Sequence, residues 1–99
     1  MGLKKKKIAT IDELKDFLRE FFKEKKPKIY IFGSRARGDH TKFSDIDLGF
    51  LSEEDISYEL SLLREIIEDS YLPYKVDIVD LSKDKELLEI VLKEGKRWF

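Results

Sequence analysis

The chain has no cysteine, one histidine, two prolines and five glycines among its 99 residues. Without cysteine there is no disulfide scaffold and no thiolate metal centre, and a single histidine cannot build a histidine-rich one. Any metal site must be made of carboxylates. An excess of either charge is lacking as well: 20 Lys and Arg stand against 21 Asp and Glu, leaving a formal charge of -1. Overall charge therefore steers the chain toward neither nucleic acid nor an anionic membrane, and any anion site must be local. Long apolar runs are missing too, so neither a secretory signal nor a membrane span is expected, and the cytoplasm is the expected location.

What is abundant is charge of both signs. Charged residues make up 41% of the chain, a share that points toward the ion-paired surfaces of heat-adapted proteins. The length suits one domain over residues 1–99 with a core of modest size. No repeat, low-complexity segment or linker interrupts it.

Thr10 to Glu13, "TIDE", forms a capping box, and Ile11, Leu14, Phe17, Leu18, Phe21 and Phe22 then recur at helical spacing. The lysines of "KEKKP" suit the negative end of that helix, and Pro27 cannot continue it. "KIYIF", Lys28 to Phe32, reads as a strand, and "DIDLGFL" from Asp45 has the period-2 pattern of another that could pair with it. "SEED" from Ser52 signals a second long helix with an apolar stripe of Ile56, Leu60, Leu63 and Ile67, ending near Pro73. "YKVDIVDL", Tyr74 to Leu81, predicts a third strand. Ser82 is placed to cap a last helix carrying Leu87, Leu88, Val91 and Leu92 before Gly95. The order is α-β-β-α-β-α, with room for a helical turn after Gly33. "KKKK" at Lys4 to Lys7 reads as a solvated terminus, a nucleic-acid arm being the sharper alternative.

The stretch "GSRARGDHTKFSDIDLGF", Gly33 to Phe50, concentrates the chemistry. Gly33, four residues and Gly38 match the first half of a Walker A loop, but Asp39 and His40 stand where a lysine and a magnesium-binding hydroxyl are required. A carboxylate there repels phosphate, and that reading is rejected. "RGD" at Arg37 to Asp39 matches an integrin-binding tripeptide, which arises often by chance, and is rejected too. What remains is physical. Gly33 permits close approach of backbone to a ligand, Ser34 offers a hydroxyl and a possible helix N-terminus for phosphate, and Arg35, Arg37 and Lys42 add positive charge. Taken alone, "GS" is equally the end of a strand followed by solvated basic residues.

Asp45 and Asp47 alternate with Ile46, Leu48 and Phe50, so a strand here turns both carboxylates to one face and apolar residues to the other. Aspartate is disfavoured in strands. Two such charges at 4 Å and an effective dielectric of 20 repel by about 4 kcal/mol, a cost that a divalent cation reverses. An edge strand with a solvated face is the bland alternative. A third carboxylate, Asp77, sits inside the apolar run of the third strand, where a neighbouring strand could bring it beside the pair. Three aspartates on adjacent strands suit magnesium or manganese, which would keep waters and take phosphate oxygens as further ligands. Two ions about 3.5 to 4 Å apart could stabilise both oxygens of an in-line phosphoryl displacement. Asp80 should face the opposite way and help to start the last helix.

"GSRARGDHTKFSDID" resembles the Gly-Ser, ten residues, Asp-x-Asp signature of the DNA polymerase β-like nucleotidyltransferase superfamily. With its length and the later "VDIVD", the chain looks most like the minimal nucleotidyltransferases, the MNT or MntA-type antitoxins paired with HEPN-domain ribonuclease toxins. The resemblance implies an α/β (α+β) nucleotidyltransferase fold, a small mixed sheet of about three strands flanked by helices. It implies transfer of AMP from ATP with magnesium: Gly33 and Ser34 would hold the triphosphate, Asp45 and Asp47 would bind both metals, and Asp77 would bind the catalytic metal and help activate the attacking hydroxyl. The implied acceptor is a tyrosine near the ribonuclease motif of the HEPN toxin, whose adenylylation would silence it. The extra domain with which larger relatives grip base and acceptor is not expected within these 99 residues, so a partner or an oligomer is expected.

Two other functions fit parts of the pattern. One is an antitoxin that neutralises its toxin by covering it, although such a binder needs no converging carboxylates. The other is nucleotidyl transfer to a small molecule such as an aminoglycoside, or to RNA, against which the small size weighs. His40 is assigned no role, since two-metal chemistry requires no histidine. Trp98 and Phe99 are expected to pack on the core or on another chain. Tyr58 and Tyr71 are expected in the core or at its boundary.

Overall fold

The computed structural model describes residues 8–33 and 45–99. Ser34, Arg35, Arg37, His40 and Lys42, the helical turn expected after Gly33, and Lys4 to Lys7 lie outside the described residues. The described elements are α1 (Ile11–Phe21), β1 (Lys28–Phe32), β2 (Ile46–Leu51), α2 (Ser57–Glu68), β3 (Val76–Asp80), a 3-10 turn (Leu81–Lys83), α3 (Lys85–Glu94) and β4 (Lys96–Arg97). The strands form one mixed sheet in the order β3-β2-β1-β4. β1 is antiparallel to both β2 and β4, while β2 and β3 run parallel. The fold class is as expected, with one strand more than the three read from sequence.

α1 starts as its capping box dictates. The Thr10 hydroxyl accepts from the Glu13 amide at 3.1 Å, and the Glu13 carboxylate reaches back to accept from the Ala9 amide at 3.2 Å. The expected helical stripe buries Leu14, Leu18 and Phe22, with Ile11, Phe17 and Phe21 packed partly buried beside them. Leu60, Leu63 and Ile67 on α2, and Ile56 just before it, are all buried. Both stripes cover one face of the sheet, made of Ile29 and Ile31 from β1, Ile46, Leu48 and Phe50 from β2, and Ile78 from β3. At roughly 1.5 to 3 kcal/mol for each large apolar side chain buried, this single layer supplies most of the driving force for folding.

Four local expectations need correction. α2 begins at Ser57, not at Ser52: the Ser52 amide donates to the Ser82 hydroxyl at 3.2 Å, and that hydroxyl donates to the Ser52 carbonyl at 2.9 Å. Ser52 is thereby tied to the turn after β3, and Asp55 accepts from both the Ser57 amide and the Ser57 hydroxyl where the helix starts. Ser82 is occupied by the same link, and Asp84 caps α3 instead, accepting from the Leu87 amide at 3.0 Å. Asp80 caps the preceding 3-10 turn through the Ser82 amide at 3.1 Å. Tyr58 and Tyr71 are 75% and 61% exposed rather than core, and Leu92 is 55% exposed rather than on the packed face of α3. Of that face only Val91 is fully buried, because α3 rests on the sheet through one narrow edge.

The last residues close the sheet. Tyr30 pairs with Arg97 and Ile31 with Lys96, and the Trp98 amide donates to the Ile29 carbonyl at 2.7 Å. Trp98 and Phe99 pack partly buried against the core, beneath the cations of Lys15 and Arg19 at 4.8 and 4.7 Å from the ring centroids. No helix among the described residues is long and apolar enough to cross a membrane.

Candidate active site

The sheet has two faces of different chemistry, and the site lies on the one that α1 and α2 leave uncovered. Ile46, Leu48 and Phe50 point into the core, each with no measurable exposure, so Asp47 on the same strand must point the other way. β2 is hydrogen-bonded to β3 in a register that sets Asp47 opposite Asp77. Adjacent strands lie about 4.8 Å apart, so the two carboxylates rise side by side from neighbouring backbones. Antiparallel pairing on the other flank sets Asp47 opposite Phe32, the last residue of β1.

Gly33 follows directly. Its φ of +76° lies in the left-handed region. A β-carbon at this position would stand 2.3 Å from Oδ2 of Asp47. The end of β1 thus leaves a gap beside the Asp47 carboxylate that only glycine keeps open, at the point where the chain enters the segment containing Ser34, Arg35, Arg37 and Lys42.

The arrangement joins Gly33, Asp47 and Asp77. Asp45 is exposed and directly precedes β2, where the Ile46 amide donates to the Lys75 carbonyl at 2.9 Å. Among the described residues no three acidic or histidine side chains form one metal-holding group. The neighbouring pair Asp47 and Asp77, all oxygen donors, is nevertheless chemically suited to a hard divalent cation, and the space preserved by Gly33 admits a ligand next to it. Lys75, two residues before Asp77, places its ammonium 3.9 Å from the Asp77 carboxylate. With that lysine side chain 72% exposed, the pair is weak and easily displaced. Asp80 faces away from this group, as the alternation requires.

A cleft of about 760 Å³ opens along β3 and contains Asp47 and Asp77 together with Arg64, Leu72, Tyr74 and Lys75. None of these last four was singled out from sequence. Lys75 carried a readable signal, since it is two residues from Asp77 and shares its face. Arg64 carried none: on α2 it reads as any exposed arginine until β3 is placed beside it.

Comparison with known proteins follows this geometry. Residues 12–99 match the family model described as polymerase beta, nucleotidyltransferase. The chain belongs to the polymerase β-like nucleotidyltransferase family. A member from Haemophilus influenzae, named as the protein adenylyltransferase MntA, is 33% identical over 67 residues, covering 67% of this chain and 59% of that protein. The match thus spans less than two thirds of that relative's length. A Methanocaldococcus jannaschii nucleotidyltransferase, MJ0126, named as a protein adenylyltransferase, is 41% identical over 82 residues, covering 78% of this chain and 76% of its own. Among solved structures, a toxin-antitoxin crystallised with AMP-PNP superimposes with a TM-score of 0.61 at 26% identity, over 86% of this nucleotidyltransferase and 72% of that chain. A variant of the MntA-HpeT toxin-antitoxin gives 0.65 at 27% identity, over 85% and 70%.

Proposed function

We propose that this nucleotidyltransferase transfers AMP from ATP to a hydroxyl, a tyrosine of a HEPN-type toxin in particular, and so acts as an antitoxin. The observation that carries the reading is the register pairing of Asp47 with Asp77 beside the gap at Gly33. The relatives named as protein adenylyltransferases and the neighbour crystallised with an ATP analogue support it.

In this reading Gly33 and Ser34 hold the triphosphate, with Arg35, Arg37 and Lys42 supplying charge to its oxygens. The acceptor hydroxyl oxygen forms a bond to the α-phosphorus as the bond from that phosphorus to the bridging oxygen breaks. Pyrophosphate leaves, and the Asp77 carboxylate takes the hydroxyl proton. Asp45, Asp47 and Asp77 would hold magnesium or manganese, which when bound stabilises charge on the phosphoryl oxygens. The protein's own task is to keep Asp77 beside Asp47 and the phosphates against the end of β1.

The test is co-expression with the product of the adjacent gene, addition of Mg-ATP, and intact-mass measurement of both proteins beside an Asp45→Asn/Asp47→Asn control. A single AMP-sized increase on the partner that disappears in the control supports the reading. A stable complex of unchanged masses overturns it in favour of an antitoxin acting by binding alone.

A further inference from the structure

The carboxylate pair depends on an edge strand, and that dependence points to a further residue. Among the described residues β3 is hydrogen-bonded to the sheet on one side only, through β2. The Lys75 carbonyl accepts from the Ile46 amide at 2.9 Å, so by the alternation of a parallel ladder the backbone groups of Asp77 and Val79 also face β2, while those of Ile78 face outward. An outward-facing edge carbonyl ordinarily meets water. Here Nη2 of Arg64 donates to it at 2.9 Å in a partly buried contact.

We infer that Arg64 is a positioning residue for Asp77: it clamps the free edge of β3 to α2 and thereby fixes the carboxylate opposite Asp47. This inference rests on the proposed metal-assisted transfer. The placement fits the task. Ile78 is the residue directly after Asp77, and its buried side chain anchors the peptide on the core face. Arg64 anchors the same residue at its carbonyl, so the residue directly after Asp77 is held at two points while the Asp77 side chain lies on the opposite face. An edge strand is the element of a sheet that yields most readily, which is where a clamp has most effect. A guanidinium suits the clamp better than an ammonium, because its planar fork is pre-organised and keeps its charge. Arg64 and Asp77 both line that cleft.

The test uses the full chain with Mn²⁺ alone as probe, read by electron paramagnetic resonance, together with amide hydrogen exchange. Arg64→Met keeps the length of the side chain and removes the donors, and Arg64→Lys restores one donor. Arg64→Met is expected to weaken Mn²⁺ binding by roughly tenfold, the effect usual for groups that orient metal ligands. Exchange should speed up at the amides of Asp77 and Val79 while α1 and β1 keep their protection, and Arg64→Lys should recover part of both changes. Wild-type Mn²⁺ affinity and wild-type exchange in a folded Arg64→Met protein would overturn the inference. So would loss of protection spread evenly through the sheet, which is the signature of a general structural role. If the wild type binds Mn²⁺ no better than Asp77→Asn, the metal-assisted reading fails, and exchange at Asp77 and Val79 still decides whether Arg64 holds the strand.

Discussion

Gly33 and Asp47 are in such close register that the smallest side chain on residue 33 would displace the carboxylate of residue 47. The two residues are separated in sequence by the whole segment that carries Ser34, Arg35, Arg37 and Lys42, and antiparallel pairing of β1 with β2 returns them to each other. Gly33→Ala therefore acts on Asp47. The methyl group forces the carboxylate to turn away, and the left-handed φ adds strain of about 1 to 3 kcal/mol. Urea denaturation should show that loss of stability, and nucleotidyl transfer should fall by more than the fraction unfolded accounts for.

Asp77→Asn separates stability from chemistry. Its charge is removed from a site where Asp47 opposes it, so chelator-treated protein should melt no lower than wild type; relief of repulsion on the order of 1 kcal/mol offsets loss of the exposed Lys75 pair. Under the proposed mechanism, transfer to the partner should drop by on the order of 100-fold or more, since Asp77 would serve there as both proton acceptor and metal ligand. Thermal melts with and without Mg²⁺ check the sign: added Mg²⁺ should raise the wild-type midpoint and leave that of the variant nearly unchanged.

The Lys25–Glu59 ion pair, 2.7 Å between Nζ and Oε2, links the turn after α1 to the first turn of α2 and should make stability depend on pH at both extremes. The hydrogen bond from Lys25 holds the Glu59 carboxyl below its ordinary value of 4.5, and the hydrogen bond to Glu59 lifts Lys25 above 10.5. Glu59 therefore contributes stability that is present above 4.5 and lost as pH falls through its lower folded value. Lys25 contributes stability that is present below 10.5 and lost as pH rises through its higher one. Glu59→Gln should melt below wild type at neutral pH, and the difference should vanish in acid. Melting curves from about pH 3 to about pH 7 measure it.

Thr10→Ala removes the side-chain acceptor at the start of α1, where the Glu13 amide is bound at 3.1 Å. A loss of about 1 kcal/mol is expected, and Thr10→Ser should restore most of it. Urea denaturation of both variants provides the measurement. An effect confined to the unfolding midpoint, with transfer per folded molecule unchanged, marks the cap as purely structural.

Much of the architecture is written in short-range pattern. The capping box of α1, the apolar stripe of α2, the alternation in β2 and the "KIYIF" strand each arise from side chains a few residues apart, and each appears in the structure as its spacing requires. The signature from Gly33 to Asp47 pointed to the family for a similar reason, since its residues lie in one continuous stretch of the sequence. What local pattern could not settle is which of several adequate groups is used. Ser52 and Ser82 both resemble helix caps, yet the Ser82 hydroxyl is taken up by the Ser52 backbone across a distance in sequence that no window spans, and the Ser52 hydroxyl accepts from the Glu54 amide in a local turn. Tyr58, Tyr71 and Leu92 are apolar or aromatic on helical or adjoining segments, but whether such a residue meets the sheet or water depends on how each helix is seated.

Sequence by itself determined the elements, the apolar face of the sheet and the carboxylates available for chemistry, because these follow from periodicity and residue type. Tertiary structure alone decided that Lys96 and Arg97 make a fourth strand, that Asp77 stands opposite Asp47, and that Arg64 reaches the carbonyl of Ile78. The physical reason is the nature of strand pairing. A backbone edge will accept many partners in many registers, and only simultaneous burial of Ile46, Leu48, Phe50 and Ile78 against the two helices selects the one that brings these residues together.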